Sequence, residues 1–342
     1  MITRALWSLA LLGAVACNGD KDTDTDTDTD TDTDTVDTAD TDTDDTGDTT
    51  PCTAEISDVY PINGQTSWYY RDPLTLKFSE AVDGLVSTTL TVDGSPVAHV
   101  LDYDSTGLQA ELLPGNGSFQ GSTNYTLTID LCEASESYNF TTSVYGDALE
   151  QGAGSLAGNT YYVDMSEANY TEPPGVGVVI SLFLTNPLLI DVTAASGAEL
   201  SLIGAQGLRD EVTAEVSQDM RYATWDFGSA DFSTSPYFSA ESTETTFSYG
   251  SVDIPVYGFA FDGTFSPDAT TIGGMNFSGL GDTRYMGPLL NLGNAPDAAC
   301  GLLEQYGVNC ETCPDGGAYC ITLVGDFQDG ELLPKIDVEV VE

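Results

Sequence analysis

Residues 20–50 alternate Asp and Thr almost without interruption, with fourteen Asp, one Lys and almost no apolar side chain. Such a stretch buries too little surface to offset the entropy of ordering. Like charges repel along it, so it is expected to be disordered and extended. At about 3.3–3.6 Å per residue it reaches on the order of 100 Å. Carboxylates are hard ligands for calcium, but the run lacks the Gly turn and terminal Glu of a calcium loop, so weak counter-ion condensation is expected. The tract therefore predicts a spacer and leaves folding to the roughly 290 residues that follow it. That length exceeds the usual need of one β-domain, which predicts two.

Ahead of the spacer stand Arg4, the apolar run Ala5–Ala16 and Cys17. A positive start followed by a short apolar run is the order of an export signal. About twelve residues are too few to cross a hydrocarbon core as a helix, which takes about twenty. A plain secretory signal with a coincidental cysteine fits the same charge and length pattern. The residues Ala14-Val15-Ala16-Cys17 resemble the lipobox of bacterial lipoproteins, departing at Ala14 where that family most often has Leu. The resemblance implies cleavage before Cys17, a diacylglycerol on its sulfur and acylation of its amine. Several acyl chains hold a protein where one gives only marginal binding. Asn18 follows the cysteine, and in that family this implies the outer membrane or the cell surface. The expected divisions are a signal peptide over 1–16, an anchor and tether over 17–51, and folded domains over 52–145 and 146–342.

The formal charge is −47, of which the tether carries −13. Only seven basic residues remain after the signal, scattered singly, which argues against nucleic acid as a partner. With Cys17 assigned to lipid, six cysteines are left: Cys52, Cys132, Cys300, Cys310, Cys313 and Cys320. An even number in an exported chain predicts disulfides. Abundant Gly, Thr, Ser and Tyr with period-2 stretches predict mostly β structure.

Over 52–143, strand-like runs at Leu74–Phe78, Thr88–Val92, Leu108–Leu112, Tyr125–Ile129 and Tyr138–Thr142 are separated by turn signals. Those signals are Ile62-Asn63-Gly64, Asp93-Gly94 and Pro114-Gly115-Asn116-Gly117. This spacing predicts a β-sandwich. Five pieces in order resemble the SbsA-type bacterial Ig-like domain of surface and S-layer proteins. They are Pro61–Gly64, Leu76–Val82, Leu112–Gly115, Tyr125–Ile129 and Phe140–Thr142. The resemblance implies a spacer or binding module and carries no catalytic residue. Cys52 precedes the first strand and Cys132 follows Tyr125–Ile129, so a bridge between them would close a loop of about eighty residues, stabilising by several kcal/mol in the chain-entropy model. His99, the only histidine, lies in a strand-like run without a second histidine or a cysteine partner, which predicts an outward-facing strand residue. Asp102-x-Asp104-x-Thr106-Gly107 opens like a calcium loop but has Leu113 at the twelfth position, so a hairpin turn is expected.

Beyond Gly146, strands are predicted at Tyr161–Asp164, Tyr222–Phe227, Thr245–Tyr249 and Val256–Phe261, with a hairpin around Asp262-Gly263. An antiparallel barrel or sandwich is the expected class. Val176–Val192 is strongly apolar, but Asn186-Pro187 and Asp191 interrupt it, so it is no transmembrane helix. It predicts buried core with a strand from Leu188, the alternative being the wall of an apolar cavity. Asp297 is expected to cap a short helix over Ala298–Tyr306, ended by Gly307. Cys300, Cys310, Cys313 and Cys320 predict two structural disulfides rather than a zinc site, with the connectivity open. The tail Lys335–Val341 alternates and predicts a closing strand.

No catalytic constellation, cofactor or metal set emerges. The sequence predicts a non-catalytic envelope or surface lipoprotein acting as an adhesion, binding or structural module. Its expected partners are the membrane, through lipid on Cys17, and an unidentified envelope or surface partner. The alternative is a lipoprotein that binds an apolar small molecule or lipid in its C-terminal β-domain. A hydrolase built on a carboxylate pair is the third and weakest reading.

Overall fold

A computed structural model describes residues 52–342 apart from Asp83, Val176, 178–185, Glu211 and Lys335. The expectations for the signal, for Cys17 and for the Asp/Thr spacer lie outside the described residues, as does the middle of the Val176–Val192 stretch.

Nine strands come first: β1 (Ile56–Tyr60), β2 (Gln65–Trp68), β3 (Leu74–Phe78), β4 (Val86–Val92), β5 (Ser95–Val97), β6 (His99–Tyr103), β7 (Gln109–Pro114), β8 (Asn124–Leu131) and β9 (Ala134–Thr142). They form two sheets, ordered β1-β3-β7-β6 and β2-β9-β8-β4-β5. All pairings are antiparallel except that of β2 with β9. This is the strand order of an Ig-like sandwich. Strict alternation builds its core: Leu74, Leu76 and Phe78 of β3 meet Tyr125, Leu127, Ile129 and Leu131 of β8 in one buried cluster. No disulfide joins the two sheets at the middle of these strands, where Leu76 and Leu127 are buried instead. At the start of β8 the Tyr125 hydroxyl accepts a hydrogen bond from the Gln120 backbone N–H at 2.8 Å. That tie back to the preceding loop is the tyrosine corner of Ig-like sandwiches.

Among the described residues eleven strands follow: β10 (Asn159–Val163), β11 (Asn169–Glu172), β12 (Leu188–Ser196), β13 (Glu199–Arg209), β14 (Val216–Gln218), β15 (Trp225–Asp231), β16 (Tyr237–Tyr249), β17 (Val252–Phe265), β18 (Thr271–Asp282), β19 (Cys320–Asp326) and β20 (Gly330–Leu333). Antiparallel neighbours run β18-β17-β16-β15-β13-β12-β10-β20, and β20 pairs back to β18 at Thr271↔Glu331 and Ile272↔Gly330. Eight strands thus close a ring, so the barrel form is realised. Beyond its short pairing with β20, β18 stays on β17 and pairs its other edge over Asn276–Asp282 with β19, which carries β11 on its far side. An eight-stranded barrel is just wide enough for side chains to fill. Here aromatic rings do so: Tyr161, Phe227, Phe232, Phe238, Phe261 and Phe265 are all buried in one cluster.

Four expectations for this half need correction or sharpening. Asp262-Gly263 is not a turn, because β17 runs unbroken through it to Phe265. Gly263 serves packing: a Cβ there would lie 2.8 Å from Ile272 and 3.0 Å from Met275. Asp297 precedes the helix Ala298–Leu303, but its side chain caps nothing; the left-handed Gly307 does end the following 3-10 turn. The tail beyond Lys335 is not a strand. Its backbone is held by side chains, and β20 closes the ring instead. From Leu188 the expected buried strand is present as β12.

The two halves meet through tyrosines. Tyr69 Oη lies 2.6 Å from Thr264 Oγ1, and the Tyr145 hydroxyl donates to Asp329 at 2.6 Å. Their rings sit where Gly274 and Gly273 have no side chain: a Cβ on Gly274 would lie 2.1 Å from Tyr69, and one on Gly273 would lie 2.2 Å from Tyr145. The Arg71 guanidinium stacks 3.7 Å from the Tyr237 ring centroid, an arrangement favoured by the ring's negative face.

Candidate functional site

At the end of the barrel where β18 pairs with β19, Ile254, Val256, Phe259, Phe277, Ile321 and Leu323 converge around Gly279 and Gly281. With Met165, Tyr170, Phe247, and Met286 they enclose a cavity of about 50 Å³. Pockets for drug-sized ligands span about 300–1,000 Å³, so only a small apolar group fits unless the walls move. The Tyr170 hydroxyl is buried without a hydrogen-bond partner among the described residues, and burial drives its ionisation well above the usual tyrosine range.

The connection between β18 and β19 holds the cysteine cluster. Cys300 pairs with Cys310 and Cys313 with Cys320, which settles the connectivity left open by the sequence. All six cysteines after Cys17, Cys52 and Cys132 included, are disulfide-bonded. Asp282, Cys313 and Cys320 place ligand-type atoms within 4.8 Å of one another, the one such group among the described residues. Both sulfurs are committed to a disulfide, so no thiolate is offered to a metal. Asp282 is instead the anchor of an ion pair. Arg284 donates to it from Nε at 3.0 Å and reaches Asp315 at 2.6 Å, while Thr283 donates to the Tyr319 carbonyl at 2.6 Å.

Among the described residues three carboxylates are buried, and each has its own partner. Asp282 has Arg284. Asp219 accepts Arg221 Nε at 2.8 Å, and that hydrogen bond holds its carboxyl below the usual range. Asp191 lies 2.7 Å from Thr160 Oγ1, and burial pushes its carboxyl up. The three sit on separate elements rather than as a pair flanking one cleft. His99 is half-buried at the start of β6, bonded through Nε2 to Thr88 and through Nδ1 to the Val97 carbonyl. Those bonds hold the ring against its own hairpin and the neighbouring strand. Asp104 bonds Thr106 and the Gln109 N–H, closing the β6–β7 hairpin as its spacing predicts. Sequence reasoning missed the Tyr69 and Tyr145 junction. Its one available signal was the Gly273-Gly274 pair inside a strand-like run, since strand glycines mark close approach.

No family model matches the sequence, and no curated protein does. A solved structure described as tandem Ig repeats of Dlar aligns with 49% of this chain and 95% of its own, at 14% identity and a TM-score of 0.20. The fold class rests on the sheets themselves: mostly β, an Ig-like sandwich followed by an antiparallel barrel.

Proposed function

We propose that this chain is an exported lipoprotein, held at an outer membrane or cell surface by lipid on Cys17, whose folded part is a non-catalytic binding or structural module. The observation that carries the reading is the junction. Half-buried tyrosines seat the sandwich on the barrel over two glycines, which favours a fixed presenting body over one that closes around a substrate. The lipobox-like residues and the Asp/Thr spacer supply the anchor and the stand-off. Two measurements test it. Cys17→Ser should move the protein from the membrane to the soluble fraction, and a variant that still sediments with membranes overturns the anchor. The purified protein should bind whole cells, envelope polymers or surface proteins, and absence of binding to all three removes the adhesion reading.

A second reading has its own support in the apolar cavity beside Tyr170. A small apolar molecule held there should be released by denaturation and seen by native mass spectrometry. A chain that carries no adduct and takes up none from lipid extract loses this reading.

A further inference from the structure

Thr160 on β10 has one hydroxyl proton and two short oxygen contacts. Its Oγ1 lies 2.7 Å from Asp191 Oδ1 on β12 and 2.5 Å from the carbonyl oxygen of Ile336. A threonine donates once, and neither a carbonyl nor an ionised carboxylate donates at all. Two such contacts need two protons. The second is accounted for if Asp191 is a neutral carboxylic acid that donates to Thr160, while Thr160 donates to Ile336. The surroundings favour that form: Thr160 is 1% and Asp191 6% exposed. Across the ladder from Asp191 stand Thr160 of β10 and Ile203 of β13, both uncharged. From the tail comes Asp337, whose charge acts in the same direction as burial. Two residues along β10, Tyr162 is bonded to Glu331 of β20.

The residues after Ile336 lie along the barrel wall without joining its ladder. The Gln218 side chain donates to the Glu339 carbonyl at 2.7 Å and accepts from its N–H at 2.8 Å. Thr224 does the same for Val341, with its N–H donating at 2.9 Å and its hydroxyl accepting at 3.2 Å. Neither clamp contains a titratable group. We propose that the C-terminal strap is a proton-gated latch, in which protonated Asp191 locks the Ile336 end of the strap to β10 through Thr160 and ionised Asp191 frees it. When Asp191 ionises, Thr160 turns its proton to the carboxylate, the Ile336 carbonyl loses its donor, and Asp337 faces a like charge. The latch is fully set below the carboxyl's value in the undocked state and is lost as pH rises through its raised docked value. At higher pH only the two uncharged clamps hold the strap.

Amide exchange at Glu339 and Val341 in the full-length protein, corrected for intrinsic rate, reads the latch from pH 4 to 8. The expected result is faster opening with rising pH, by up to about tenfold per unit, the slope of one linked proton. Asp191→Asn supplies a permanent donor and should show slow, pH-independent opening. Should that variant not fold, Asp337→Asn, at an exposed position, removes a charge that raises the Asp191 carboxyl and should make opening level off at a lower pH than in the wild type. Opening in the wild type that does not change with pH overturns the proposal. So does an unchanged levelling-off pH in Asp337→Asn, or wild-type behaviour in a folded Asp191→Asn. Protection restored at pH 8 by millimolar calcium alone would also overturn it, assigning the oxygen cluster to a cation.

Discussion

The sandwich and the barrel are both antiparallel β structure, yet only one of them is transparent in the sequence. The sandwich strands β3 and β8 keep one phase, so every second side chain is buried and the core can be read off directly. Barrel strands run to fourteen residues and carry irregularities. On either side of Gly258 in β17 the buried positions are Ile254 and Val256, then Phe259 and Phe261. The alternation slips by one across Gly258, whose φ is +56°. An extra residue that bends a strand shifts its two-residue period, so the strand predicted over Val256–Phe261 covers only part of β17. The mistaken hairpin at Asp262-Gly263 has its own cause, because Asp-Gly signals a turn only where packing does not need the glycine. The disulfides were foreseeable from parity; their pairing was not, because it depends on how the β18–β19 connection folds back.

The largest expected difference between the halves concerns their staples. A bridge from Cys52 to Cys132, the pairing expected from the sequence, constrains about eighty residues and is worth about 4.5 kcal/mol in the chain-entropy model, against about 2.5 kcal/mol for the seven-residue loop of Cys313–Cys320. Urea unfolding of the Cys52→Ala/Cys132→Ala and Cys313→Ala/Cys320→Ala proteins compares them directly. Equal losses would show that strain or residual denatured-state structure, rather than loop length, sets the contributions. Next come the cores. Phe261→Ala removes a ring packed against Phe227, Phe238 and Phe259 and should cost about 3–5 kcal/mol, against about 2–5 kcal/mol for Leu76→Ala in the sandwich.

Whether the halves unfold together turns on the junction. Gly274 has φ +60°, and an added Cβ would lie 2.1 Å from the Tyr69 ring. Gly274→Ala therefore combines backbone strain of about 1–3 kcal/mol with displacement of the tyrosine. The wild type is expected to melt in one calorimetric transition and the variant in two. Two transitions already present in the wild type would mean that the tyrosines position the halves without coupling their stability.

The smallest effect separates the two halves most cleanly, because it turns on one oxygen in each. Tyr125 is buried in the sandwich, and its hydroxyl accepts the Gln120 N–H. Tyr170 belongs to the barrel half, and its hydroxyl is buried with no partner among the described residues. A hydrogen bond contributes about 0.5–1.5 kcal/mol net, whereas a buried hydroxyl without one has lost its solvation for nothing in return. Tyr125→Phe should therefore destabilise by about 1 kcal/mol, while Tyr170→Phe should be neutral or stabilising. Phenylalanine keeps the ring in both cases, so the core volumes cancel and urea midpoints report the hydroxyl alone. A destabilised Tyr170→Phe would mean that the hydroxyl has a hydrogen-bond partner in solution.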